Sequence, residues 1–173
     1  MKQKLLTLLL IVVPSIAFCQ SKPVVEFTNP DIQMGMVVSD LEKSLNFYTG
    51  IIGLKQTGEF KVAPEKAKEL GLTDKLELKV SVLRLREGED ANQLKLMSFG
   101  EKKKLKKKKF INDELGVQYF TIYVKTLRPV YERLKENNIP LLGSTPVQMK
   151  GGNSFILIQD PDGTFIELIG PMD

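Results

Sequence analysis

Apolar and polar residues alternate along two stretches of this chain, and in both the alternation gives way to a helical period. In "IQMGMVVSDLEKSLNFYTGIIGL" (residues 32–54), Met34, Met36 and Val38 fall on one side of an extended segment, and Gln33, Gly35 and Val37 on the other. From Leu41 the spacing becomes helical, with Leu41, Leu45 and Tyr48 forming an apolar stripe behind the N-cap residues Ser39 and Asp40. The pattern returns in "VQYFTIYVKTLRPVYERLKENNIPLLG" (residues 117–143). There Phe120, Ile122 and Val124 oppose Tyr119, Thr121 and Tyr123, and Leu127, Val130 and Leu134 make the stripe of a helix predicted to begin at Thr126. Gln33 aligns with Tyr119, Val38 with Val124 and Leu41 with Leu127, each pair 86 positions apart.

Strand-like runs follow each helix. In the first copy they are "GLKQTGEF", "LELKVSVLRLR" and "NQLKLMSF"; in the second, "LLGSTPVQM", "NSFILIQD" and "TFIELIG". The turn "DPDG" at residues 160–163 joins the last two as a hairpin. The first copy is longer by fourteen residues, and the surplus fits "APEKAKELG" (residues 63–71), a short helix with Pro64 at its start and Gly71 past its end. The pattern therefore predicts an α+β fold of two tandem β-α-β-β-β modules built on mixed sheets, over residues 31–100 and 115–171, with a linker at 101–114.

The start of the chain reads differently. Lys2 and Lys4 precede an apolar run over residues 5–18, followed by small residues at Ala17 and Cys19, the pattern of a secretory signal peptide over residues 1–19. The run is too short, and too interrupted by Pro14, to span a bilayer. Residues 20–30 form an N-terminal extension. The expected location is periplasmic or secreted; a lipid anchor on Cys19 is the second choice, because bulky Phe18 suits lipidation poorly.

Composition narrows the chemistry. The chain has one cysteine, Cys19, and no histidine, so cleavage behind Cys19 leaves a mature protein without a thiol or an imidazole. That excludes disulfides, cysteine nucleophiles and Ser-His-Asp triads, and it argues against zinc, copper and non-haem iron sites. Setting aside Lys2 and Lys4 leaves 23 basic against 21 acidic residues; setting aside "EKKKLKKKKF" (residues 101–110) as well leaves 16 against 20. The body is mildly acidic and carries one basic segment, Lys102 to Lys109, which reads as a solvated linker, with contact to an anionic membrane as the alternative. No aromatic residues are interleaved to stack bases, and no nucleic-acid partner is expected.

The tandem modules, "VVSDLEKSLNFYTGIIGL" after the first strand and "DPDGTFIELIG" at the end together resemble the vicinal oxygen chelate superfamily. That group includes glyoxalase I, bleomycin-resistance proteins, methylmalonyl-CoA epimerase and extradiol dioxygenases. The resemblance covers residues 31–171 and implies that the two modules pair their curved sheets around a central cavity. It also implies four inward positions, on the first and last strand of each module: Gln33 and Lys95, then Tyr119 and Glu167. Family enzymes hold a divalent metal there with His, Gln or Glu. Here only Gln33 and Glu167 are candidate ligands, Tyr119 is a poor one, and Lys95 puts an ammonium where the family has a carboxylate. The resemblance thus implies a degenerate metal site with no tightly held cofactor, and a weakly bound divalent cation as the alternative.

The expectation for function is a binding protein for a small polar or anionic molecule, held by Gln33, Lys95, Tyr119 and Glu167. If the four meet in a partly dry pocket, Lys95 and Glu167 form a charge-assisted pair. A satisfied polar plug in place of a lost metal site is the structural alternative. The enzymatic alternative is a glyoxalase-type lyase or isomerase, with Glu167 as base and Lys95 or Tyr119 as acid. Two modules can close one cavity within a monomer, and the resemblance also admits a homodimer. The leader carries its own test: N-terminal sequencing of the mature protein should begin at Gln20, whereas an intact Met1 or a diacylated Cys19 contradicts free export.

Overall fold

A computed structural model describes residues 31–86, 88, 92–100 and 108–173. The leader over residues 1–19, the extension over 20–30 and most of the lysine segment, 101–107, lie outside the described residues.

The first module runs β1 (Met34–Val37), α1 (Leu41–Asn46), a π-helical turn (Phe47–Ile52), β2 (Lys55–Val62), α2 (Pro64–Glu69), β3 (Leu78–Arg84) and β4 (Gln93–Ser98). The second runs β5 (Tyr119–Tyr123), α3 (Arg128–Glu136), β6 (Val147–Gln148), β7 (Ser154–Gln159) and β8 (Phe165–Gly170). Each module makes its own open four-stranded sheet, in the orders β1-β4-β3-β2 and β5-β8-β7-β6. In both, the first and last strands pair in parallel and the other neighbours pair antiparallel. The fold is α+β and repeats the same topology twice.

Local chemistry accounts for these elements. The Asp40 side chain caps α1 by accepting from the Lys43 N–H at 3.1 Å. The helix then widens: the Gly53 N–H bonds the Tyr48 carbonyl five residues back at 3.0 Å, and Gly53 closes the turn at φ 97, a conformation that favours glycine. Pro64 opens α2, where no N–H is needed. The second module departs from the sequence pattern in two places. Its helix begins at Arg128, with Leu127 at the N-cap, while the Thr126 hydroxyl one residue earlier accepts the Arg128 N–H at 3.4 Å. Leu127 is fully buried and its N–H is held by the Pro171 carbonyl at 2.7 Å, so core packing sets this start, and Pro129 fits the first turn. The run 141–149, predicted as a full strand, keeps only Val147–Gln148 in register with β7. Gly143 turns at φ 64 and Pro146 offers no N–H, which together break the ladder before Val147.

The alternation sorts the two sides of each sheet. Val38, Leu94 and Leu96 from the first sheet, and Ile122, Ile156, Ile158, Ile166 and Leu168 from the second, enter one apolar core. Phe47, Tyr48 and Ile52 from the π-helical turn and Leu127, Val130 and Leu134 from α3 complete it. One core therefore serves both modules, and it lies on the helix side.

Polar bonds in that core fix the modules to each other. Tyr48 is fully buried, and its hydroxyl donates to Oδ2 of Asp160 at 2.8 Å. The other oxygen of Asp160 accepts the N–H groups of Asp162 and Thr164 at 2.9 and 2.8 Å, which shapes the turn between β7 and β8. Asp162 in turn accepts the Ser39 N–H at 2.9 Å and the Ser39 hydroxyl. From α3, Arg133 donates to the carbonyls of Ile51 and Ile52 at 2.6 and 3.2 Å, satisfying the end of the π-helical turn.

Burial pushes the Asp160 carboxyl above the usual carboxylate range, against the hydrogen bonds from Thr164, Tyr48 and Asp162 that favour its charged form. Burial also drives the Tyr48 hydroxyl far above its ordinary value, with the Asp160 charge acting in the same sense, so Tyr48 remains a neutral donor. A carboxyl raised in the folded state contributes stability that is fully present below its unfolded pKa and is lost as pH rises through its folded value. Tyr48→Phe leaves a buried carboxylate oxygen without its donor and should cost about 1–3 kcal/mol in urea unfolding at neutral pH. Asp160→Asn should remove the component of stability that falls as pH rises from the acid range. Urea midpoints measured across pH for the two variants and the native protein check both.

Candidate functional site

The sheet faces opposite the shared core carry the residues expected to bind. On the first sheet, Gln33 sits exposed just before β1, on the side of Gly35 and Val37. Lys95 of β4 lies in register with Gly35 on one side and Val82 on the other, and is partly buried. The Met97 methyl lies 2.9 Å from where a Cβ on Gly35 would stand, so Gly35 leaves room for Met97 to cover the strand next to Lys95.

On the second sheet, Tyr119 opens β5 and is 45% exposed. Glu167 of β8 lies between Thr121 of β5 and Leu157 of β7. The Thr121 hydroxyl donates to Oε2 of Glu167 at 2.5 Å.

The expected residues thus divide between the two sheets, Gln33 just before β1 and Lys95 on β4 of the first, Tyr119 on β5 and Glu167 on β8 of the second. Among the described residues no hydrogen bond or ion pair joins one pair to the other, and the expected Lys95–Glu167 ion pair is absent. The physical reason is proximity: Thr121 is the direct register partner of Glu167 on the neighbouring strand and satisfies its carboxylate locally.

Two residues of this face were missed in the sequence. Thr121 shares the side of Tyr119 by simple alternation, and that signal was available. Arg84 of β3 pairs with Gln93, two residues from Lys95, and so adds a second cation to the face of the first sheet. Its Nη1 donates to the Gly88 carbonyl, while its Nε is buried without a hydrogen-bond partner. That is an unmet donor of the kind that costs free energy when left unpaired.

The family's divalent metal does not fit this donor set. Among the described residues no three His, Cys, Asp or Glu side chains converge. Of the four positions, Glu167 supplies the one carboxylate and already accepts from Thr121, while Lys95 brings a positive charge that a cation must oppose. What the arrangement offers chemically is two cations, Lys95 and Arg84, on the first sheet, and on the second the Glu167 carboxylate with the Thr121 hydroxyl.

The fold has clear relatives. The model of the Glyoxalase/Bleomycin resistance protein/Dioxygenase superfamily matches residues 32–168. No match was found among curated proteins. Among solved structures, a glyoxalase family protein from Bacillus cereus superposes with a TM-score of 0.68 at 17% identity, over 88% of this chain and 100% of that one. Glyoxalase I from Zea mays gives 0.61 at 19% identity over 83% of this chain, which spans 45% of the maize chain, about half its length. The trypanothione-dependent glyoxalase I of Leishmania major gives 0.55 at 20% identity, over 80% of this chain and 84% of that one. At such identities the structural likeness is one of fold. With the family model matched across both modules, the chain belongs to the glyoxalase/bleomycin resistance protein/dioxygenase superfamily.

Proposed function

We propose that this chain is an exported binding protein that takes a small polar or anionic molecule in a cavity between its two modules, with Gln33 and Lys95 of the first and Tyr119 and Glu167 of the second as the binding residues, and without a tightly held metal. The observation that carries this reading is the state of the two charged residues. Lys95 is partly buried and has no carboxylate partner among the described residues, whereas one oxygen of Glu167 accepts from the Thr121 hydroxyl. An ammonium partly withdrawn from water gains from a counter-ion, and a ligand carboxylate or phosphate supplies one through a charge-assisted bond, worth about 1.5–3 kcal/mol. Arg84 on the same face supports the same ligand charge. Gln33 and Tyr119 are both exposed, and in this reading their side chains hydrogen-bond the rest of the molecule.

Succinate, oxalate and inorganic phosphate are direct probes. A binding anion at about 100 times its Kd should stabilise the full chain by about 2.7 kcal/mol in thermal or urea unfolding, and Lys95→Met should abolish the gain. Mn²⁺ and Mg²⁺ should give no comparable stabilisation. Strong stabilisation by Mn²⁺ that is lost in Glu167→Gln and enhanced in Lys95→Glu would instead assign the site to a metal.

A double-mutant cycle checks the local pairing. Thr121→Val and Glu167→Gln should couple by more than about 0.5 kcal/mol, while Lys95→Met and Glu167→Gln should add to within about 0.5 kcal/mol, as independent sites do.

A further inference from the structure

On the helix side, away from the sheet face, a cavity of about 370 Å³ opens between α1, the π-helical turn, the segment after α3 and the turn between β7 and β8. This volume lies at the lower end of small-molecule pockets, roughly 300–1,000 Å³. Phe47 and Ile51 of the π-helical turn form one wall, Ile139 and Leu142 another, and Pro161 a third side. π-Helical turns inside helices recur at functional sites, and this one places its apolar side chains on the cavity.

Its polar groups are few and unequal. Asp160 lines the cavity but is 5% exposed, and its carboxylate is closed by the bonds from Tyr48, Asp162 and Thr164. Lys43 and Asn46, one turn apart on α1, are both exposed at the rim. Neither side chain enters any hydrogen bond or ion pair among the described residues, so a cation and an amide stand ready beside apolar walls. The amide of Gln159 donates to the carbonyls of Lys108 and Gly163, which leaves its oxygen as a further acceptor.

We propose that this cavity is a second ligand site, separate from the sheet face, for a small aromatic or branched aliphatic carboxylate. The apolar body packs against Phe47, Ile51, Ile139 and Leu142, and the carboxylate meets Lys43 and Asn46 at the rim. The closed carboxylate of Asp160 keeps the anionic head outward. The proposal does not depend on the function of the sheet face, because no residue is shared between the two.

The test uses the ¹⁵N-labelled full chain titrated with 1-naphthoate and, in parallel, with the uncharged 1-naphthalenemethanol. Saturable amide shifts are expected at Asn46, Ile51, Ile139 and Gly163, with none at Lys95, Thr121 or Glu167. Lys43→Gln should weaken 1-naphthoate by about two- to fivefold, the range of an exposed ion pair, and leave the alcohol unchanged. Ile139→Trp, which fills the cavity, should abolish binding of both. Should that variant fail to fold, Lys43→Gln at an exposed position still decides. Shifts confined to the sheet face, equal binding of 1-naphthoate by native protein and Lys43→Gln, or no saturable shift at millimolar probe would overturn the proposal.

Discussion

A tyrosine hydroxyl and a carboxylate lie 2.8 Å apart, out of water, and join residues 112 positions distant in the chain. Tyr48 belongs to the π-helical turn of the first module and Asp160 to the last hairpin, so the bond ties the two halves of the duplication at a buried point. Asp160 also accepts two N–H groups of its own turn, and through that turn it sets the β7–β8 register in which Leu157 faces Glu167 and Ile158 faces Ile166. A slip of one residue would turn Glu167 into the core and Ile166 and Leu168 outward, which burial of both isoleucine and leucine forbids. The candidate binding face of the second sheet is therefore specified from the opposite side of that sheet, by a hydrogen bond between the two modules.

The duplication, the side on which each strand residue lies and the final hairpin were legible in the sequence because each is a local property. Alternation in residues 33–38 and 119–124 needs no knowledge of the partner strand, and "DPDG" encodes its own turn. What escaped is the choice among competing partners. Thr126 was a good N-cap by type, but Leu127, pulled fully into the core, moved the helix start. Lys95 was a plausible counter-ion for Glu167 by charge, but Thr121 stood beside it on the next strand. The two family motifs were recognised separately, and nothing in their spacing told that Tyr48 of one bonds Asp160 of the other. Nor did the sequence reveal the widened turn after α1, which arises only once Gly53 reaches back to Tyr48.

Duplication has left the two sheet faces chemically unequal. On the first sheet the outward positions of β1, β3 and β4 hold Arg84 and Lys95 with glutamines, glycine and apolar residues, and no acid. On the second, the corresponding strands hold Glu167 with Thr121, Tyr119 and Tyr123. A pair of carboxylates at the two last-strand positions would favour a divalent cation; an ammonium at one of them does not. Two sheets of one strand order thus tolerate Lys95 on the last strand of the first and Glu167 on that of the second.

That tolerance follows from where stability resides. The core that serves both modules, the Tyr48–Asp160 bond and the Arg133 contacts all lie on the helix side. On the other side Val37 is 58% and Tyr123 76% exposed, whereas Val80 and Phe165, which share those faces, are buried. Residues that touch little and share no partners with the core contribute almost independently of it. A fold arranged this way can vary exposed outward residues such as Val37 and Tyr123 without losing its shape, because the core shared by the modules lies on the helix side. This separation is the physical sense in which function is grafted on a fold rather than dictated by it.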